Sequence, residues 1–197
     1  MTKDRIEAFS DGVIAIIITI MVLELKVPEG RDLAMLAPLL PIFLSHVLSF
    51  ANVGLYWNNH HHMFHAVKHV GGWVLWANLH RLFWLSLLPF ATGLMGENDF
   101  APVTVAIYAV DLAMCAIAYT LPVFALPVFA LLAEHGGNGD FARAIGSDRK
   151  GKISLACYIA AIPLTFVQPR VSLALIGIVV AICIVPDRRF SRAVDHG

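Results

Sequence analysis

Residues 9–24 read FSDGVIAIIITIMVLE, an apolar stretch in which the polar residues Ser10 and Asp11 follow Phe9. A helix that crosses the hydrocarbon core of a bilayer needs about 20 consecutive, mostly apolar residues. The stretch can be extended to residues 8–25, and it contains no charged residue between Asp11 and Glu24. It therefore predicts a first transmembrane helix.

The whole chain is unusually apolar. Its 197 residues are 58% hydrophobic and 14% charged, whereas a soluble domain is about 45–50% apolar and about 25% charged. The sequence therefore predicts an all-α integral membrane protein with six transmembrane helices in a single domain, residues 1–197. The five further spans are expected at about 36–57, 73–95, 101–121 with a possible extension to 132, 153–167 and 171–185.

Basic residues are unequally distributed between the two sides of the predicted spans. Ten Lys and Arg residues lie on one side: before the first span, between the second and third, between the fourth and fifth, and after the sixth. The remaining connections, which lie on the other side, contain three. Because positively charged connections stay in the cytoplasm, both termini are expected there. The long polar segment at 134–152 is then a cytoplasmic loop.

Several classes of function are poorly supported by the sequence. Fourteen basic and fourteen acidic residues balance, which gives no support for a nucleic-acid partner. The motifs GxSxG, GxGxxG and Walker A are absent, so the chain is not expected to be an enzyme. Three cysteines without CxxC spacing predict neither a disulfide nor a zinc site, and we expect no cofactor.

Three charged residues, Asp11, Arg81 and Asp111, fall inside the predicted spans. Charges in the membrane are costly and are usually paired or functional. Arg81 and Asp111 are both expected near mid-membrane, so one interpretation is a buried ion pair between them. The other is a role in the passage of ions or protons.

Histidines are concentrated at the end of the second span. A helix would place His61, His65 and His69 on one face, because they are four residues apart. Such imidazoles can titrate near neutral pH or bind zinc. A third interpretation is that these histidines lie at the membrane interface, where they form hydrogen bonds with neighbouring helices and water and bind no metal.

One face of the first span is continuously apolar. At 100° per residue a single stripe contains Phe9, Gly12, Ile16, Ile20 and Leu23, with Thr19 at its edge. Ser10 and Asp11 point well away from Ile16. This pattern fits a helix that contacts lipid or protein, and it equally fits the wall of a hydrophobic pore.

The motif Arg5-x-x-x-Phe9-Ser10-Asp11 resembles the signature of the lysosomal-type potassium channel family and its prokaryotic homologues. Supporting residues are Tyr56 to His61 at the end of the second span, and Asn78 with Leu85 to Phe90 in the third. The resemblance covers residues 5–95 by motif. The chain departs from the family pattern at Arg81.

The resemblance implies a potassium-permeable cation channel in a bacterial-type cell membrane. Its six-span subunits form a homotetramer, and the first helix lines the central pore. Instead of the carbonyl filter of ordinary potassium channels, apolar rings are expected at Ile16, Ile20 and Leu23, with Thr19 as a candidate for selectivity.

Polar residues of the signature are expected to brace the helices near the pore entrance. They are Arg5, Ser10 and Asp11, with Asn78 and the region of His60, His61 and His62 as partners. The expected partners of the whole chain are further copies of itself, the lipid bilayer and monovalent cations. The alternative function is a proton-coupled secondary transporter that uses Asp, Arg and His residues within the membrane.

Overall fold

The structure is a computed structural model of the 197-residue chain, and it describes residues 3–30, 32–66, 72–133 and 149–184. Within these ranges the side chains of residues 3, 60–66, 73, 121–133 and 149 are not described. The described ranges contain six α-helices and no strand, which confirms the predicted all-α class. The helices are α1 (Lys3–Leu23), α2 (Leu40–Ala66), α3 (Gly72–Glu97), α4 (Pro102–Ala133), α5 (Arg149–Val167) and α6 (Pro169–Ile184).

Four segments of the described ranges are long and apolar enough to cross a membrane on their own. They lie in α1, in α2 with the short 3₁₀ helix before it, in the first part of α4, and in α5. The apolar helix α6 has only 16 residues. Helix α3 is long, but it carries Asn78, His80 and Arg81, and such residues in a spanning helix need partners in the protein.

Two predicted boundaries differ from those of the structure. The second span was expected from residue 36, but residues Leu33–Leu39 form a 3₁₀ helix and α2 begins at Leu40. Pro38 lies inside this 3₁₀ helix, and a proline has no backbone N–H with which to continue an α-helical ladder. The predicted loop at 134–152 is too long at its C-terminal end, because α5 already begins at Arg149; residues 134–148 lie outside the described ranges.

Helices α3 and α4 form the centre of the bundle. Helix α3 packs against α1, α2 and α4, and α4 also packs against α5 and α6. Helices α2 and α3 approach each other closely at Gly96, where an added Cβ would lie 2.7 Å from the Cα of Ile42. The α3–α4 connection is short, and it places Asp99 and Phe100 in the left-handed region with φ of 50° and 58°. Helices α3 and α4 are therefore antiparallel neighbours.

Candidate pore helix and its polar contacts

Helix α1 has two faces of opposite character. One face is buried against α2 and α3, and its members are Ile6, Ser10, Ile14, Ile17 and Met21. The other face is not covered by the helices that the structure describes. On this face 58% of Ile16 and 76% of Leu23 are exposed, and Phe9 and Ile20 are exposed as well.

The uncovered face corresponds to the apolar stripe of the sequence. Gly12 lies on it, with no atom within 4 Å of the position that a Cβ would take. Thr19 is exposed at its edge, and its Oγ1 donates a hydrogen bond to the carbonyl oxygen of Ile16 at 2.9 Å. Because this bond uses the only hydrogen of the hydroxyl, the Thr19 oxygen can act only as an acceptor towards any other group.

A chain of buried hydrogen bonds connects α1 to α3. Ser10 Oγ donates to the carbonyl oxygen of Ile6 at 2.8 Å. Asn78 Nδ2 donates to Ser10 Oγ at 2.8 Å, and Arg81 donates from a terminal guanidinium nitrogen to Asn78 Oδ1 at 3.1 Å. All three polar side chains are buried. The structure thus brings together Ser10 of the signature and Asn78, one of its expected partners, and adds Arg81 to them.

A second contact connects α1 to α2. Trp57 Nε1 donates a hydrogen bond to Asp11 Oδ1 at 3.0 Å. Trp57 lies within the motif at the end of the second span, but no role for it was predicted from the sequence. An indole N–H can only donate a hydrogen bond. This property is the feature of the sequence from which a contact with a carboxylate such as Asp11 could have been predicted. No hydrogen bond joins Arg5, which is exposed, to Ser10 or Asp11.

The histidines predicted near the end of the second span lie outside the described side chains. This holds for the side chains of His60, His61, His62 and His65, and the whole of His69 lies outside the described ranges. Among the described residues there is no group of three or more His, Cys, Asp or Glu side chains that could hold a metal ion.

The predicted ion pair between Arg81 and Asp111 is wrong. Asp111 has no hydrogen-bond partner on either carboxylate oxygen, and Arg81 donates to Asn78. Counted from the turn between α3 and α4, Arg81 lies about 24 Å down its helix and Asp111 about 14 Å, at ~1.5 Å per residue. An offset of about 10 Å along the bundle therefore separates the two residues.

An ion pair lies at the end of the bundle opposite Lys3. Lys26 Nζ is 2.7 Å from Glu97 Oε1. The hydrogen bond and the negative charge of Glu97 raise the pKa of Lys26 above its ordinary value. Nearby, Glu24 lies against Gly93, where an added Cβ would be 3.0 Å from its carboxylate oxygen. Glu29 and Asp32 are exposed at the same end.

Known proteins resemble the chain in both sequence and structure. The family model of the endosomal/lysosomal potassium channel TMEM175 matches residues 5–89. A potassium channel of Chryseobacterium sp. (strain P1-3) is 50% identical over 196 residues, which cover 100% of both chains. A potassium channel of Chamaesiphon minutus is 34% identical over 154 residues, covering 74% of this chain and 71% of the relative.

A vertebrate relative is named for a different ion. The human endosomal/lysosomal proton channel TMEM175 is 40% identical over 80 residues, which cover 34% of this chain and 16% of the human protein. Among solved structures, a lysosomal potassium-selective channel TMEM175 homologue from Chamaesiphon minutus matches with a TM-score of 0.78 and 26% identity. That match covers 93% of this chain and 96% of the other. The chain therefore belongs to the TMEM175 family, and it is a potassium-permeable cation channel of the membrane and not an enzyme.

Proposed function

We propose that four copies of the chain surround a central pore with α1 innermost, and that residues 1–197 form a single channel domain. The observation that carries this proposal is the uncovered face of α1. The opposite face of the same helix is fixed to α2 and α3 by buried apolar side chains and by the contacts of Ser10 and Asp11. A helix held in this way presents its apolar face at a defined angle, which a symmetric pore requires.

The constriction follows from fourfold symmetry applied to this face. Ile16, Ile20 and Leu23 lie within about 60° of one another around the helix, and each becomes a ring of four side chains. An apolar ring excludes water when it is narrow and thereby closes the pore. When the ring is slightly wider it passes partly dehydrated cations. Potassium loses water at a lower cost than sodium, so a modest preference for potassium is expected.

The orientation in the membrane is part of the same proposal. With both termini in the cytoplasm, the N-terminal polar contacts of Ser10 and Asp11 lie at the cytoplasmic entrance. The exposed carboxylates of Glu29 and Asp32, together with half-buried Glu24, then lie near the external mouth. Clustered negative charge raises the local concentration of cations, which favours conduction of monovalent cations over anions.

The test compares two isoleucines of similar exposure on different helices. Ile16→Ala widens the proposed ring and admits water, so the current should rise and the potassium-to-sodium preference should fall. Ile159 on α5 is 51% exposed, and Ile159→Ala serves as the matched control, with both quantities unchanged. Single-channel recording in planar bilayers without a proton gradient also separates a channel, which shows unitary steps, from a proton-coupled transporter.

Thr19→Val tests the alternative that a layer of Thr19 hydroxyls, and not the ring of Ile16 side chains, sets the preference for potassium. The substitution removes the hydroxyl acceptor but keeps the volume, and under the apolar-ring account it changes the preference for potassium less than Ile16→Ala does. If Thr19→Val abolishes the preference while Ile16→Ala changes neither current nor preference, the threonine layer is the filter and the constriction at Ile16 is refuted.

A further inference from the structure

Asp111 is the carboxylate of α4 that the subunit buries without any partner. Its side chain is 5% exposed, and neither carboxylate oxygen is accessible or hydrogen-bonded. It lies within electrostatic reach of Tyr56, Tyr108 and Cys115. An ionised carboxylate only accepts hydrogen bonds, and burying it without donors costs far more than burying a neutral group. The charged form therefore needs donors from its surroundings.

Two buried tyrosines of the bundle, of which Tyr56 is within reach of Asp111, donate their hydroxyl hydrogens to other groups. Tyr56 donates its hydroxyl hydrogen to the carbonyl oxygen of Leu112 at 3.4 Å. Tyr158 donates to Asn52 Oδ1 at 3.0 Å. Each hydroxyl carries a single hydrogen, so neither tyrosine can also donate to Asp111 while these bonds last.

The third tyrosine, Tyr108, belongs to a chain of buried hydroxyls. Thr92 Oγ1 lies 2.6 Å from the carbonyl oxygen of Leu88 and 2.7 Å from Ser49 Oγ. Ser49 Oγ donates a hydrogen bond to the Tyr108 hydroxyl oxygen at 3.0 Å. Tyr108 is thus bonded to Ser49, and it is not a hydrogen-bond partner of either Asp111 oxygen.

We propose that Asp111 holds a proton in this conformation and is a proton-binding site inside each subunit, separate from the uncovered face of α1. A neutral carboxylic acid removes the buried charge that no hydrogen bond within the subunit stabilises. The ligand is the proton itself, and the site is formed by α2 and α4 of one chain. It does not depend on assembly around a pore.

Release of this proton has a structural consequence. The ionised Asp111 needs donors, and the hydroxyls of Tyr56 and Tyr108 are the ones within its electrostatic reach. Turning the hydroxyl of Tyr56 towards the carboxylate breaks the Tyr56–Leu112 hydrogen bond, and this bond connects α2 to α4. Helix α2 also carries Trp57, which holds Asp11 of α1. The protonation state of Asp111 is thereby coupled, through α2, to the position of α1.

Other titratable groups near the site do not replace Asp111 as the group that changes. Tyrosines and cysteines ordinarily ionise at more alkaline pH than a carboxyl group, and arginine keeps its charge. His46 of α2 is turned towards the exposed Phe50, with ring centroids 6.3 Å apart. The groups on the helices packed around Asp111 are Tyr56 on α2, Arg81 on α3, Tyr108 and Cys115 on α4 itself, Tyr158 on α5, and Cys183 on α6, which faces Ser154.

Infrared spectroscopy of the full chain in lipid bilayers tests the proposal directly. A protonated, buried carboxyl gives a carbonyl stretching band at neutral pH, and we expect Asp111→Asn to abolish it. Asp99→Asn, which changes an exposed aspartate of the α3–α4 turn, should leave the band in place. A wild-type spectrum without this band, or a band that persists in Asp111→Asn, would overturn the proposal.

Two further measurements cover the case in which Asp111→Asn does not fold. Asp111→Glu keeps the acid and should shift the band without removing it; a band at an unchanged position contradicts the assignment. Carbon-13-labelled aspartate in the wild-type chain should show one protonated carboxyl by solid-state NMR at neutral pH, and its absence contradicts the proposal. Both experiments read the carboxyl itself, so they remain decisive even if the proposed pore architecture fails.

Discussion

The two faces of α1 differ in the contacts that they make. The side of α1 that packs on α2 and α3 carries the buried Ser10 and the half-buried Asp11, and each has a specific partner: Asn78 for Ser10 and Trp57 for Asp11. The uncovered face contains apolar side chains and the hydroxyl of Thr19, which bonds within its own helix. Substitutions on the buried face should therefore change stability, whereas those on the uncovered face should change conduction.

The largest loss of stability is expected where the buried hydrogen bonds between α1 and α3 meet. Asn78→Leu removes the donor to Ser10 and the acceptor of the buried Arg81 at the same time. Weakening the interactions of a buried charge typically costs about 3–5 kcal/mol. The free energy of unfolding in detergent should fall by about this amount. Ser86→Ala, at an exposed position of the same helix, is the control and should change it by less than about 0.5 kcal/mol.

The contrast between the faces is sharpest for two isoleucines two residues apart. Ile14 is 2% exposed and Ile16 is 58% exposed. Ile14→Ala leaves a cavity and should lower the unfolding free energy by about 2–4 kcal/mol, with little effect on ion preference in the folded channel. Ile16→Ala should do the reverse. If both variants destabilise the protein equally, the uncovered face is packed and the comparison fails.

A smaller effect is expected for the contact between α1 and α2. Trp57→Phe removes the indole donor to Asp11 and should cost about 1–2 kcal/mol. A double-mutant cycle with Asp11→Ala isolates the pair from other losses. The two substitutions together should cost less than the sum of the single ones. Strict additivity would show that the hydrogen bond contributes nothing to stability.

The smallest effect is expected at the opposite end of the bundle. Lys26 and Glu97 form an exposed ion pair, and exposed pairs contribute little. Because Glu97 raises the pKa of Lys26, the contribution is present below the ordinary lysine pKa and is lost as the pH rises through the raised value. Lys26→Gln should therefore lower the melting temperature slightly at neutral pH. Wild type and variant should converge at strongly alkaline pH; a gap that widens there contradicts this account.

The sequence predicted those features that depend on local geometry. Apolar runs predicted the six helices, and the helical period predicted that the apolar stripe of α1 lies on a different side from Ser10 and Asp11, because both are properties of a single segment. The partner of Asp11 and the relation of Arg81 to Asp111 were not predictable in this way. They depend on the turn between α3 and α4 and on the relative heights of packed helices. An offset of about 10 Å cannot be read from two mid-span positions alone.

The most direct test of the central claim is the accessibility of α1 in the conducting channel. Ile16→Cys and Ile159→Cys are each expressed in the otherwise unchanged chain, whose own cysteines are buried or half-buried. A small, charged thiol reagent is then applied during recording. The account predicts that the reagent blocks or strongly reduces current through Ile16→Cys, while wild type and Ile159→Cys continue to conduct. Equal insensitivity of all three channels would contradict a pore lined by α1.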